Sequence, residues 1–159
     1  MASSFWFGGL ALILASSISP IVAESTPKEF VDAHNAVRAN YGVGPVSWNT
    51  TLAADAQEFA RTMIGTCEMV YSNGPYGENM ALAYEKTTAE LTVNYWASEK
   101  KFYEYKSNKC IEEECGHFRQ VVWKDTTSIG CAEVECIKDY ILTVCNYYPP
   151  GNYADQLPY

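Results

Sequence analysis

An α+β fold, with helices covering an antiparallel sheet, is what the chain predicts, and three observations carry that. The first half of the chain holds capped, helix-periodic stretches. Two runs near the end are rich in Val, Ile, Tyr and Cys and lie either side of Lys138-Asp139. No strand and helix alternate repeatedly, as a parallel α/β sheet would require.

The first helix opens at Thr26, where an N-cap, Pro27 and a capping-box Glu29 stand in order. Phe30, His34, Val37 and Tyr41 recur at helical spacing until Gly42, which places His34 on the apolar face. Asn49 can cap a second helix whose stripe is Leu52, Ala56, Phe59 and Met63, ending at Gly65. The stretch Val70 to Asn79, VYSNGPYGEN, is turn-forming and presents Glu78 behind a glycine. Thr87 with Glu90 reads as a second capping box, opening a helix toward Ser107 on which Trp96, Glu99 and Tyr103 share a face. Ile129 to Cys136 and Tyr140 to Tyr147 read as strands of a hairpin centred near Lys138, which sets Cys131 opposite Cys145. The end, YYPPGNYADQLPY, lacks periodicity, and its residues 149–159 read as an extended, turn-rich tail.

The 159 residues suit one domain, 48 % hydrophobic. Eleven Lys and Arg against 19 Asp and Glu leave a formal charge of −8, which disfavours nucleic acid as a partner. Residues 1–23 hold an apolar run, then small residues and Ala23, the pattern of a secretory signal peptide; the mature domain is expected to span 24–159. All six cysteines, Cys67, Cys110, Cys115, Cys131, Cys136 and Cys145, follow that segment, so three disulfides are the simplest outcome in an oxidising compartment. The last five are separated by four, fifteen, four and eight residues and include no CxxC pair, unlike zinc modules. Asn49-Thr50-Thr51 is an N-glycosylation sequon.

His34 and His117 are the only histidines. His34 reads as a core histidine bonded to nearby backbone, because its neighbours at helical spacing are apolar. Glu78 and Glu99 could form the carboxylate pair of a glycosidase, or do structural work at a turn and beside a cation or histidine. No serine stands in a GxSxG elbow, with Ser72 near Glu78 the sole serine worth weighing, and Walker, GxGxxG and HExxH motifs are absent from the sequence.

HNAVRANYGVGPVSWN, GPYGENMA, CGHFRQVVW, IGCAEVEC and CNYYPPGNY with a terminal PY together resemble the plant pathogenesis-related protein 1 class of the CAP superfamily, with its cysteine-rich secretory and antigen 5 relatives. The resemblance spans nearly the whole mature chain. It implies a three-layer α-β-α sandwich with a central antiparallel sheet, and disulfides Cys67 to Cys136, Cys110 to Cys115 and Cys131 to Cys145. It also implies a cleft tetrad of two histidines and two glutamates able to hold a divalent cation. By motif, Glu78, Glu99 and His117 take three of those positions, and Tyr71 stands where the other histidine belongs. A phenol with a pKa of about 10 is a poor metal ligand at neutral pH, so weak zinc binding at most is expected, and no cofactor.

The functions implied are those of a secreted plant defence protein. The first is a monomeric, non-enzymatic antimicrobial that binds sterols or related lipids of microbial membranes. The second is a precursor whose tail, Pro149 to Tyr159, is released to a receptor as an immune peptide; relatives place aspartate before that cut, where this chain has Tyr148. The third is a cleft hydrolase, further weakened by Tyr71. The apoplast is the expected destination, with the vacuole the alternative.

Overall fold

The computed structural model describes residues 24–84 and 87–159; the signal-peptide reading of residues 1–23 lies outside the described residues. Helix α1 spans Pro27–Ala39, with Thr26 and Glu29 closing the expected capping box and Asn40 at the C-cap. Gly42, at φ +65°, turns the chain where a side chain would be strained. Strand β1 is Ser47–Trp48, and helix α2 runs Thr50–Thr62. The Asn49 side chain accepts from the amides of Thr51 and Leu52, so the sequon asparagine is the cap of α2.

Strand β2, Gly77–Tyr84, follows the turn-rich loop, and helix α3 spans Ala89–Ser98. Its cap is Thr88, one residue later than expected: Thr88 Oγ1 accepts from Leu91 N, while Thr87 Oγ1 meets Thr92 Oγ1. The helix also stops short of Ser107. A 3₁₀ turn occupies Glu99–Phe102, and Tyr103–Glu104 (β3) pairs with Lys109–Cys110 (β4) in a small antiparallel ribbon. Burial of Tyr103 and ribbon pairing thus override helical propensity in EKKFYEY. Helix α4 is Gly116–Val121, β5 is Ser128–Glu135 and β6 is Tyr140–Tyr148.

The main sheet has the order β1-β5-β6-β2. It is antiparallel except at β1, which pairs parallel with β5. The β5–β6 register sets Cys131 against Cys145, and all three disulfides have the pairing the resemblance implies. Alternation along the strands splits the core in two. Ile129, Cys131, Cys145 and Tyr147 face α1, α3 and α4, whereas Ala132, Val134, Leu142 and Val144 face α2. That is the three-layer sandwich. Gly130 lets the start of α2 lie on the sheet, since a Cβ there would meet Ala53 N at 2.1 Å and Asn49 O at 2.7 Å.

Two buried polar groups on α1 fix its place, Arg38 against α4 and neighbouring loops and His34 against the sheet. Arg38, 1 % exposed, donates from Nε to Gly44 O at 2.7 Å and from its two terminal nitrogens to Val121 O, Trp123 O and Thr126 O at 2.9–3.0 Å. Burial lowers its pKa to about 10, which leaves it charged at neutral pH. His34 is fully buried, as expected of a core histidine. Its Nδ1 lies 2.7 Å from Phe30 O, an atom that can only accept, so Nδ1 carries the proton and Nε2 accepts from Tyr147 OH at 2.8 Å.

The tail 149–159 forms neither helix nor strand but is docked. Thr126 Oγ1 donates to Pro149 O, Gly151 N to Gln120 Oε1, Asn152 Nδ2 to Gly116 O and Lys124 N to Pro158 O. The Tyr159 ring packs on Tyr41 at 4.8 Å, with Tyr103 and Phe118 beyond.

The His34 environment has a measurable consequence. Burial lowers its pKa from 6.5 to about 4, with the Arg38 charge assisting against the bond to Phe30 O. Between those values the unfolded chain binds a proton that the folded chain refuses, so stability is full above pH 6.5 and falls by about 3 kcal/mol on acidification to pH 4. Urea midpoints taken across that window should show His34→Gln with a slope smaller by about one proton; an unchanged slope contradicts the assignment.

Candidate functional site

The Glu99 carboxylate organises the site. Helix α4 is six residues long and its N-cap, Cys115, offers no side-chain cap bond. Glu99 supplies one from the end of α3: Oε2 accepts from His117 N at 3.0 Å and Phe118 N at 3.2 Å, placing an anion on the helix N-terminus. Its other oxygen lies 2.6 Å from His117 Nδ1. A carboxylate can only accept here, so Nδ1 carries a proton, and in the neutral imidazole Nε2 is the acceptor for Tyr71 OH at 2.9 Å. The imidazole also stacks on the buried Trp96 indole, with centroids 6.3 Å apart at 19°.

Three of the four expected cleft residues, Tyr71, Glu99 and His117, therefore join in one hydrogen-bonded chain. Glu78 attaches to it through backbone: its Oε1 accepts from Ser72 N at 3.0 Å, fixing the residue next to Tyr71. The glycine before it has a packing reason, because a Cβ at Gly77 would meet Gln120 Oε1 at 2.2 Å. Tyr148 ends β6 with its carbonyl accepting from Thr127 N, so the residues flanking the expected processing bond are both held by 126–127.

Sequence reasoning missed three contributors. Asn79, buried beside Glu78 on β2, donates to His117 O and to Tyr147 OH, both at 3.1 Å, which links the His117 backbone to the His34 pair along one face of the sheet. Glu113 and Glu114, inside the Cys110–Cys115 loop, line a cavity of about 530 Å³ with Tyr95, Glu99, Phe102 and His117. The run of three glutamates between two cysteines was the available signal. The Tyr71 phenol is pushed above its ordinary pKa by burial first, then by the charges of Glu114, Glu78 and Glu99.

The chain matches the family model for CAP, the cysteine-rich secretory protein family, over residues 31–147. The chain belongs to the CAP family. Within it, the relatives are plant pathogenesis-related 1 proteins. The basic form of pathogenesis-related protein 1 of Nicotiana tabacum is 44 % identical over 137 residues, covering 86 % of this chain and 77 % of the relative. Pathogenesis-related protein 1 of Arabidopsis thaliana is 42 % identical over 150 residues, covering 94 % and 92 %. Among solved structures, Schistosoma mansoni venom allergen-like protein 4 aligns with TM-score 0.67 at 27 % identity, covering 84 % of this chain and 92 % of that one. NaASP2, whose crystal structure was determined with Zn2+, aligns with TM-score 0.68 at 17 % identity, covering 84 % of each chain, a likeness of fold.

The donor set of this CAP protein does not fit a divalent cation of the kind the family resemblance implies. Both ring nitrogens of His117 are engaged, and both oxygens of Glu99 accept hydrogen bonds. Tyr71 offers a phenol held in its protonated form. Among the described residues no group of three or more His, Cys, Asp and Glu is arranged to hold a metal. Calorimetry should therefore show no stoichiometric zinc isotherm for the wild-type protein and the appearance of one in Tyr71→His. A tight wild-type isotherm that His117→Ala abolishes would overturn this.

Proposed function

We propose that this pathogenesis-related 1 type protein is secreted to the apoplast and acts there in plant defence without covalent chemistry, by sequestering sterols or related lipids of microbial membranes. The observation that carries the lipid reading is the apolar run Met69, Val70 and Tyr71, which is 47 %, 53 % and 48 % exposed on the loop before β2. Three consecutive half-exposed apolar side chains favour an apolar ligand over a charged one. The same loop is tied to His117 by Tyr71, so the apolar rim and the polar chain form one surface.

The non-enzymatic reading is supported by the same hydrogen-bonded chain. His117 Nε2 is occupied by a phenol whose proton is harder to remove than usual, which suits a structural clasp better than a general base. The six cysteines are all paired, so no thiolate nucleophile is on offer.

Burying a Met or Val side chain against a lipid contributes on the order of 1.5 kcal/mol or more, so a double substitution should weaken binding at least about tenfold. Purified protein at micromolar concentration should take up labelled ergosterol saturably, and Met69→Asp with Val70→Asp should lose that uptake while keeping its thermal midpoint. Absence of saturable uptake, or uptake unchanged in the double variant, rejects sequestration through this loop.

A further inference from the structure

Glu133 sits on the face of β5 that packs against α1 and α3, and it is 9 % exposed. Among the described residues its carboxylate is met by one partner, Ser25, which is 108 positions away in sequence. Ser25 N donates to Oε2 at 2.8 Å and Ser25 Oγ to Oε1 at 3.3 Å. Ser25 Oγ in turn accepts from Ala89 N, the first residue of α3, at 3.0 Å. The entry to α1, strand β5 and the start of α3 thus meet at one carboxylate.

None of those partners is a cation. Among the described residues the cation–carboxylate contacts are Lys28 with Asp32 and, only if its ring is protonated, His117 with Glu99. Thr143, directly across the β5–β6 ladder from Glu133, is fully buried, and its Oγ1 has no hydrogen-bond partner among the described residues. Glu133 and Thr143 thus form a polar pair of positions on this face, among the described residues bonded neither to each other nor to the Asn79–Tyr147–His34 group. A buried carboxylate is ordinarily matched by a positive charge, because desolvating an anion is costly and neutral donors offset only part of that cost.

The chain can generate a positive charge at this place itself. Hydrolysis of the Ala23–Glu24 amide by a signal-peptide-cleaving protease consumes one water and leaves a carboxylate on Ala23 and an α-ammonium on Glu24. Covalent geometry limits where that ammonium can lie. Successive backbone nitrogens are at most about 3.7 Å apart. With Ser25 N 2.8 Å from Glu133 Oε2, the Glu24 nitrogen is within about 6.5 Å of the carboxylate whatever the terminal torsions. Opposite charges at that range attract appreciably near a protein surface.

We infer that Glu133 is the seat of the α-ammonium created at Glu24 when residues 1–23 are removed, so that the mature terminus supplies a charge partner that no side chain among the described residues provides. This rests on the secretory reading of residues 1–23. Processing then does more than release the chain: it fastens α1 to the sheet and to α3. A terminus displaced by added residues cannot do so.

The test compares two oxidised, full-length mature proteins, one beginning at Glu24 and one carrying a Gly-Ser extension before it, each with Glu133 intact and with Glu133→Gln. The extension should lower the folding equilibrium constant about fivefold when Glu133 is present and leave it unchanged in Glu133→Gln. An extension without effect, or with the same effect in both backgrounds, overturns the inference. Should Glu133→Gln fail to fold, NMR titration of the isotopically methylated α-amine decides. A pKa above the ordinary range of about 7.7–8.0 supports the pair, and a value within or below that range overturns it. Intact mass separates the two premises. A secreted protein that does not start at Glu24 overturns the cut and the inference with it, whereas the expected mass without coupling overturns the role of Glu133 alone.

Discussion

Helix α4 is suspended between two charges, and the candidate site depends on that suspension. Six residues are too few to form a stable helix alone, since nucleation is costly and only a turn or two of bonds can repay it. At the N-terminal end the Glu99 carboxylate takes two backbone N–H groups. At the C-terminal end the Arg38 guanidinium takes the carbonyls of Val121 and Trp123, and extends to Thr126 and Gly44. Anion at the start and cation at the end both oppose the helix dipole favourably. A buried guanidinium with no carboxylate partner among the described residues is tolerable here because several carbonyl dipoles converge on its fork of donors.

The consequences reach along the face of the sheet that α1, α3 and α4 cover. With α4 fixed, His117 is aimed at Tyr71, and the loop before β2 is closed onto the helical layer. Asn79 carries the connection inward to Tyr147 and so to His34 on α1. Imidazoles far apart in sequence thereby sit in one polar system, one fully buried and bonded to core groups, the other beside a cavity. Such a network specifies one packing of α1, α4 and the sheet, since each member left unpaired in the interior would be costly. It also accommodates the tyrosine at position 71, whose hydroxyl is met by His117 Nε2.

The local signals were legible in the sequence. Thr26 with Glu29 and Asn49 mark helix starts because capping is short-range chemistry, and the hairpin register followed from placing one turn between two β-branched runs. Elements set by distant partners were not. Strand β2, in GENMALAY, is not announced locally: its first residues belong to a turn-forming stretch, and its partner β6 lies far along the chain. Helix α4 was illegible since its cap comes from Glu99 and its C-terminal stop from Arg38, neither of them adjacent. Thr88 displaced Thr87 as the cap of α3, a one-residue choice settled by which hydroxyl reaches Leu91 N. At the site, the motifs named Tyr71, Glu78, Glu99 and His117, but only the fold shows that Glu78 accepts from Ser72 N and that Glu113 and Glu114 line the cavity beside His117.

Native-state hydrogen exchange on Arg38→Lys tests most directly whether the two charges suspend α4. A lysine keeps the charge but loses the fork that spans Val121, Trp123, Thr126 and Gly44. The account predicts that amides of residues 117–122 exchange at least about tenfold faster, with those of the loop before β2 following, while β5 and β6 amides keep their protection. Protection lost equally across the sheet, or retained in α4, would contradict it.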